Sequence, residues 1–386
     1  MFRIRSFLLL SMAVVAGCAV EGKTDCAYGD AACSVCAVDL ETQLRGMRVQ
    51  TAFDMNVPDA PAIHPESHVQ GVFRLADGTD ASGQPVGRVG GTQNAVGGGL
   101  DIGFHRRDPQ MSEGWLDYDP ALGRVRFDSF DRVDVRDTLN HPGGTQAHGN
   151  IVAIAMEEQG NPFPSAAVYF VAVAQNDSAQ SGGEIVNRLI MDGSRGEPLQ
   201  AERKCAASAG FVKVSDGRFM VAVAGADNGK QGIWFYISDQ TTLDANTTWQ
   251  FISFWEPTCF GDDPNTECYY GAGGGLNLVT DCSGQVYLLA MNGSYLQVGG
   301  DHSTMQAYAL NLTSTGEIEM QKRTTWLRTG LDGLNQATFR WGGSVYTSRD
   351  GTVVAMAAKR NNGPLGGLLT PMSFITIQQF VNPAFE

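Results

Sequence analysis

The segment Asn140–Glu158, NHPGGTQAHGNIVAIAMEE, sets two histidines and two carboxylates around an apolar run. Histidine titrates near neutrality and is the commonest protein ligand for metals, and a neighbouring carboxylate orients its ring. His141 with Glu157, and with His105 further up the chain, are therefore candidates for holding a divalent metal such as calcium, or for acting as acid and base. A plainer reading stands beside this one. His141 precedes Pro142 and two glycines, and a polar residue at a strand end that meets solvent needs no chemistry. Other centres have less support. No GxSxG turn presents a serine nucleophile, and the glycine-rich VGGTQNAVGGG has no Lys-Ser/Thr after it to make a phosphate loop. The loop FGDDPNTE, Phe260–Glu267, pairs aspartates but lacks EF-hand spacing. His302 reads as part of an outer loop, and Trp255, Trp326 and Trp341 as packing rather than sugar platforms.

The elements that must position these residues form a repeat. GGTQAHGNIVAIAMEE aligns with SAGFVKVSDGRFMVAVAGAD, GGLNLVTDCSGQVYLLAMNG and GGSVYTSRDGTVVAMAAKRN. Each starts with small residues and a short strand-like run, and ends in alternating apolar residues leading to an alanine. Those alanines are Ala155, Ala224, Ala290 and Ala357, at steps of 69, 66 and 67 residues. A fainter copy, NAVGGGLDIGFHRRD, places Gly103 at that position, 52 residues before Ala155. Two further strand-like runs follow each copy, such as Val168–Ala174, Gly232–Ser238 and Met305–Leu312, then Trp249–Trp255 and Glu317–Trp326. Period-2 apolar patterning between turn signals marks all of them as strands.

Four antiparallel strands per unit, repeated around a circle, resemble the β-propeller superfamily as a whole. The resemblance covers residues 46–386 and rests on the repeat; neither the WD dipeptide nor the kelch glycine pattern is present in register. It implies an all-β propeller of four-stranded blades, most simply five of them. The last unit has only three strands of its own, so an N-terminal strand, from RGMRVQTAF or HVQGVFRLA, is expected to complete it and remove an open edge. In such a fold the starts of first strands and the ends of second strands share one face, where loops from every unit converge. The candidate ligand-binding face is then His141, Lys204, Tyr270 and Arg340 at the starts, with His105, Glu157, Glu158, Asp227, Asn292 and Lys359 at the ends.

The N-terminus carries an address. Arg3 and Arg5 precede an apolar stretch, Phe7–Ala16, too short to span a bilayer. VAGC, Val15–Cys18, then resembles the lipobox of bacterial lipoproteins, which implies a signal peptide over residues 1–17 and lipidation of Cys18. Ala19 follows where an aspartate would retain the protein at the inner membrane, so in a Gram-negative envelope the outer membrane is implied. Residues 18–45 read as a cysteine-containing tether and 46–386 as the propeller. In an oxidising compartment cysteines pair by default: Cys259 with Cys268 closes a short loop, and Cys205 with Cys282 is a second expectation. Cys33 and Cys36 have CxxC spacing without the further ligands of a zinc site.

Of the 386 residues 43% are hydrophobic and 18% charged, an ordinary globular composition, and the 47 glycines suit many tight turns. A net charge of −14 excludes a basic stripe for nucleic acid. The reading is a membrane-anchored envelope lipoprotein, held to the membrane through lipid alone, whose propeller face binds a protein or glycan partner. The alternative is a metal-dependent hydrolase or lyase on the same face.

Overall fold

A computed structural model describes residues 35–56, 69–79, 85–96, 107–119, 124–134, 139, 141–157, 166–173, 183–199, 206–225, 229–259, 268–269, 271–293, 302–313, 316–329, 337–358 and 374–385. The chain is mostly β. After one short helix, α1 (Leu40–Gly46), come β1 (Arg48–Asn56), β2 (Val69–Thr79), β3 (Pro85–Val96), β4 (Arg107–Asp119) and β5 (Arg124–Asp134). They are followed by β6 (His141–His148), β7 (Ile151–Glu157), β8 (Ala166–Ala172) and β9 (Glu184–Met191). Then come β10 (Ser208–Lys213), β11 (Phe219–Ala224), β12 (Ile233–Ser238) and β13 (Trp249–Trp255). β14 (Gly275–Thr280), β15 (Val286–Gly293), β16 (His302–Leu312), β17 (Ile318–Thr329), β18 (Thr338–Thr347), β19 (Val353–Ala358) and β20 (Phe374–Val381) complete the strands.

The strands pair as antiparallel meanders. β2–β5 and β14–β17 each form a four-stranded sheet, and β6–β9 and β10–β13 join into one of eight through a single parallel bridge, Ser208 to Gly144. The last sheet runs β18–β19–β20–β1, so the N-terminal strand does fill the outer place. RGMRVQTAF supplies that strand; HVQGVFRLA instead becomes β2, the first strand of the next sheet. First strands touch in succession, β2 to β6, β10, β14 and β18, and β18 returns to β2.

Alternation along each strand explains the continuous apolar runs. On β7, Ile151, Ala153 and Ala155 face the sheet of β10–β13, while Val152, Ile154 and Met156 face that of β2–β5. On β12, Trp234 and Tyr236 point one way and Ile233 and Phe235 the other. A sheet covered on both sides needs apolar residues at both parities.

One turn recurs between first and second strands. Val214–Arg218, Asp281–Gln285 and Ser348–Thr352 each close with the first N–H donating to the fifth carbonyl, at 2.8–2.9 Å. The fourth residue is a glycine, Gly217, Gly284 or Gly351, at φ of 87°, 89° and 87°, a left-handed conformation that a side chain resists. Asp216, Asp281 and Asp350 accept a backbone N–H inside these turns at 2.9–3.0 Å.

Four expectations change. Met291, not Ala290, is the structural equivalent of Ala224, because each faces the sheet that follows its own, whereas Ala290 and Ala357 both face the sheet that precedes theirs. In the first sheet the equivalent pair is Gly71 and Thr92 rather than a residue near Gly103, which follows β3 and lies outside the described residues. Cys282 is bonded to Cys36 and not to Cys205. The N-terminal segment folds back over the β14–β15 turn and brings Cys36 within bonding reach, a contact between residues 246 apart that spacing cannot announce. Cys259 is bonded to Cys268. His302 opens β16 rather than lying in a loop before it.

Candidate functional site

β6 begins at His141 and β7 ends at Glu157, and the two are cross-strand partners. His141 Nδ1 lies 2.8 Å from Glu157 Oε1, and each side chain is 16% exposed. From β2, in the neighbouring sheet, Gln70 Nε2 lies 3.0 Å from His141 Nε2. With the Gln70 amide as donor, Nε2 accepts, whereas Nδ1 lies close to the Glu157 carboxylate without the alignment of a hydrogen bond. Amide, imidazole and carboxylate thus form one chain of contacts across two sheets.

Local sequence puts the ring there. Between Pro142 and Thr145 the β6–β7 register shifts, and Gly143 and Gly144 form the irregularity. Gly144 N–H donates to Ala207 O at 2.9 Å, and Thr92 Oγ1 donates to Gly143 O at 3.4 Å. A Cβ on Gly143 would overlap the Ala207 carbonyl, and one on Gly144 would overlap Ser208 Oγ. A bulge of this kind re-aims the residue beside it.

Directly inside this level the first strands meet backbone to backbone. Gly275 packs on the Gly343 carbonyl, and Gly343 N–H donates to Gly274 O. One layer deeper, two amide side chains tie the strands. Gln146 Oε1 accepts from Phe211 N–H and Leu278 N–H, both at 2.7 Å, and its Nε2 donates to Leu278 O at 2.7 Å. Asn277 Oδ1 accepts from Val345 N–H at 3.1 Å and Ser344 Oγ at 3.3 Å. Ser208 Oγ accepts from Leu276 N–H at 2.6 Å, and Thr145 Oγ1 donates to Val72 O at 3.4 Å. These levels run in one direction in every first strand, so all first strands are parallel. The His141 end and the end with the Asp-Gly turns are opposite.

Of the residues expected on the face, His141 and Glu157 are brought together. Asn292 lies near the end of β15, its Oδ1 accepting from Gly293 N–H at 3.0 Å. Arg340 sits in an irregularity of β18, where pairing jumps from Thr338 to Gly343. His105, Glu158, Lys204, Asp227, Tyr270 and Lys359 lie outside the described residues, as does Cys18. Gln70 was not among the sequence candidates. Its signal was present in QGVF, small residue then apolar run as in GGSV, but the segment read equally well as a closing strand.

Tyr269, Trp255 and Trp326 are packing residues. Tyr269 is 2% exposed, with the Trp255 ring at 5.4 Å and Tyr308 at 6.4 Å. Burial, then the nearby Tyr308, raises its phenol well above the usual range. Trp326 Nε1 donates to Met47 O at 3.2 Å, and its ring meets Phe380 and Phe339 at 5.4 and 5.7 Å. Among the described residues no group of three His, Cys, Asp or Glu side chains is placed to hold a metal ion; His141 and Glu157 supply two groups, and Gln70 already occupies Nε2. No helix among them is long and apolar enough to cross a membrane.

No family model and no curated protein matches the chain. Among solved structures it is similar to a Bacillus subtilis levansucrase mutant, with 11% identity and a TM-score of 0.47 over 90% of this chain and 92% of that one. The hemagglutinin-neuraminidase of parainfluenza virus 5 matches at 10% identity and 0.39, over 86% and 81%. A Bombyx mori GH32 beta-fructofuranosidase matches at 11% and 0.40, over 83% of this chain and 64% of that one. Likenesses this weak transfer no activity to this chain.

Proposed function

We propose that the chain is a lipid-anchored lipoprotein of the bacterial envelope, built as a five-bladed β-propeller whose His141 end binds a protein or glycan partner. The VAGC lipobox supports the anchor. The closed succession of first strands and the completion of the last sheet by β1 support the blade count. The observation that carries the binding face is the Gln70–His141–Glu157 chain, held by two sheets at the end where connections converge. Residues 36–47 join the body at the opposite end, beside the Asp281 and Gly351 turns, so the N-terminal attachment and the His141 end are at opposite ends of the first strands.

A second reading, a metal-dependent hydrolase or lyase, draws on one observation: a carboxylate 2.8 Å from an imidazole orients that ring for acid–base work or metal ligation. It requires Gln70 to move off Nε2.

A thermal-shift titration of the full chain in detergent, against a glycan panel and divalent cations, separates the two. A ligand at about a hundred times its dissociation constant adds about 2.7 kcal/mol to the folded state. The binding reading expects a glycan shift, or photo-crosslinking to a cell-envelope protein from a probe at Gln70 but not at Asp216, with either signal lost in His141→Ala. Stabilisation by a cation that is lost in His141→Ala and strengthened in Gln70→Ala favours the second reading. Crosslinks equal at both ends, with no ligand shift, overturn the proposed face.

A further inference from the structure

The N-terminal run is attached to the body on two different sheets before β1 begins. Cys36 is bonded to Cys282 in the β14–β15 turn, and Ala37 bridges Asp281 in parallel. Ala37 N–H donates to Thr280 O at 2.9 Å, and Cys282 N–H donates to Ala37 O at 3.0 Å. The next residue crosses to the last sheet: Val38 N–H donates to Gly351 O at 3.0 Å. Gln43, fully buried, then holds that turn, its Nε2 donating to Gly351 O at 2.9 Å and its Oε1 accepting from Val353 N–H at 2.6 Å. α1 is pinned on its outer sides as well. Arg323 Nε donates to Glu41 Oε1 at 2.7 Å, and Asn382 Nδ2 donates to Thr42 O at 3.0 Å.

We infer that residues 36–47 are a covalent clamp spanning the β14–β17 sheet and the last sheet, and that it keeps β1 docked and the circle of sheets closed. β1 is an outer strand, paired with β20 alone, and outer strands open first in native fluctuations. With the disulfide intact, a released β1 remains within twelve residues of Cys282, a reach of at most ~40 Å, so it re-docks as an intramolecular event. Without it, residues 37–47 are held by non-covalent contacts alone, and once these open nothing keeps β1 near its sheet. The inference does not depend on the ligand at the His141 end. If the chain is lipid-anchored, one consequence follows: a pull on the tether is borne by Cys282 and its turn, and does not peel β1 from β20.

Hydrogen exchange read by mass spectrometry on the full chain tests the clamp. Three forms are compared: oxidised wild type, folded wild type after phosphine reduction, and Cys36→Ser/Cys282→Ser. A Cys259→Ser/Cys268→Ser chain controls for loss of the other bond. Exchange over Arg48–Asn56 and Phe374–Val381 should rise about tenfold or more in the reduced and Cys36→Ser/Cys282→Ser forms, with Ile151–Glu157 changed by less than about twofold. Reduction of already folded protein keeps the test valid if the serine variant fails to fold. Unchanged protection of β1, or an equal rise in β1 and β7, overturns the inference, since the bond would then be idle or would stabilise the molecule uniformly.

Discussion

His148 closes β6 at the turn end, with Phe211 and Phe219 edge-on to its ring at 6.1 and 6.3 Å. Its Nε2 is sealed from solvent and has no hydrogen-bond partner among the described residues. Burial first, and then the charge of Lys213, lower its pKa from 6.5 to about 4. The folded state therefore refuses a proton that the unfolded chain takes up, so stability is unaffected above about pH 6.5 and falls as pH drops from there towards 4. A full shift of this size corresponds to a loss on the order of 3 kcal/mol at the acid end. Urea unfolding at pH 7 and pH 4.5 should show wild type losing most of that and His148→Phe losing markedly less; equal losses would exclude His148 as the acid-labile group. At His141 the same residue type is solved differently, with a carboxylate on one nitrogen and an amide on the other. Gln70→Ala frees Nε2, and the expected outcome is a change in ligand response at that end with unfolding shifted by no more than about 1 kcal/mol.

The elements are tied along the axis by side chains that reach from one first strand to the next. Gln146 is the principal tie, serving β10 and β14 from β6 with three bonds of 2.7 Å. Gln146→Ala leaves two N–H groups and a carbonyl buried without partners, each costing about 1–3 kcal/mol, so a loss of about 3 kcal/mol or more is expected in urea unfolding. Gln146→Met restores the volume but none of the bonds and should recover little. A loss below about 1 kcal/mol in both variants would mean that water replaces the amide. This tie was invisible in sequence: GGTQAHG offers a glutamine in a small-residue run, and nothing in its spacing says which strands it reaches. The turns, by contrast, were legible, because a polar residue beside a glycine that must adopt positive φ is a local requirement.

For the molecule as a whole, closure depends on the first strand. Every residue of β1 from Arg48 to Asn56 except Gln50 has a partner on β20, and α1 and the Cys36 bond stand behind it. Deleting residues 1–56 removes the outer strand of the last sheet and its clamp together. The expected product is aggregated or expanded in size-exclusion chromatography, with loss of cooperative unfolding; a compact, cooperatively unfolding monomer would show that β1 is dispensable.

The strands, their meander order, the repeat of 66–69 residues and the polar–glycine turns were determined by sequence alone, because period-2 burial and left-handed turn residues are properties of neighbours along the chain. Even so, the repeat was misaligned by one residue between Ala224 and Ala290 and misplaced in the first sheet, where small residues before an apolar run served two readings. Tertiary structure alone decided that Gln70 meets His141, that Gln146 locks three first strands, and that Cys36 rather than Cys205 takes Cys282. Each joins residues at least 65 positions apart, and such contacts exist only once the sheets have closed around one axis and set their first strands at common levels.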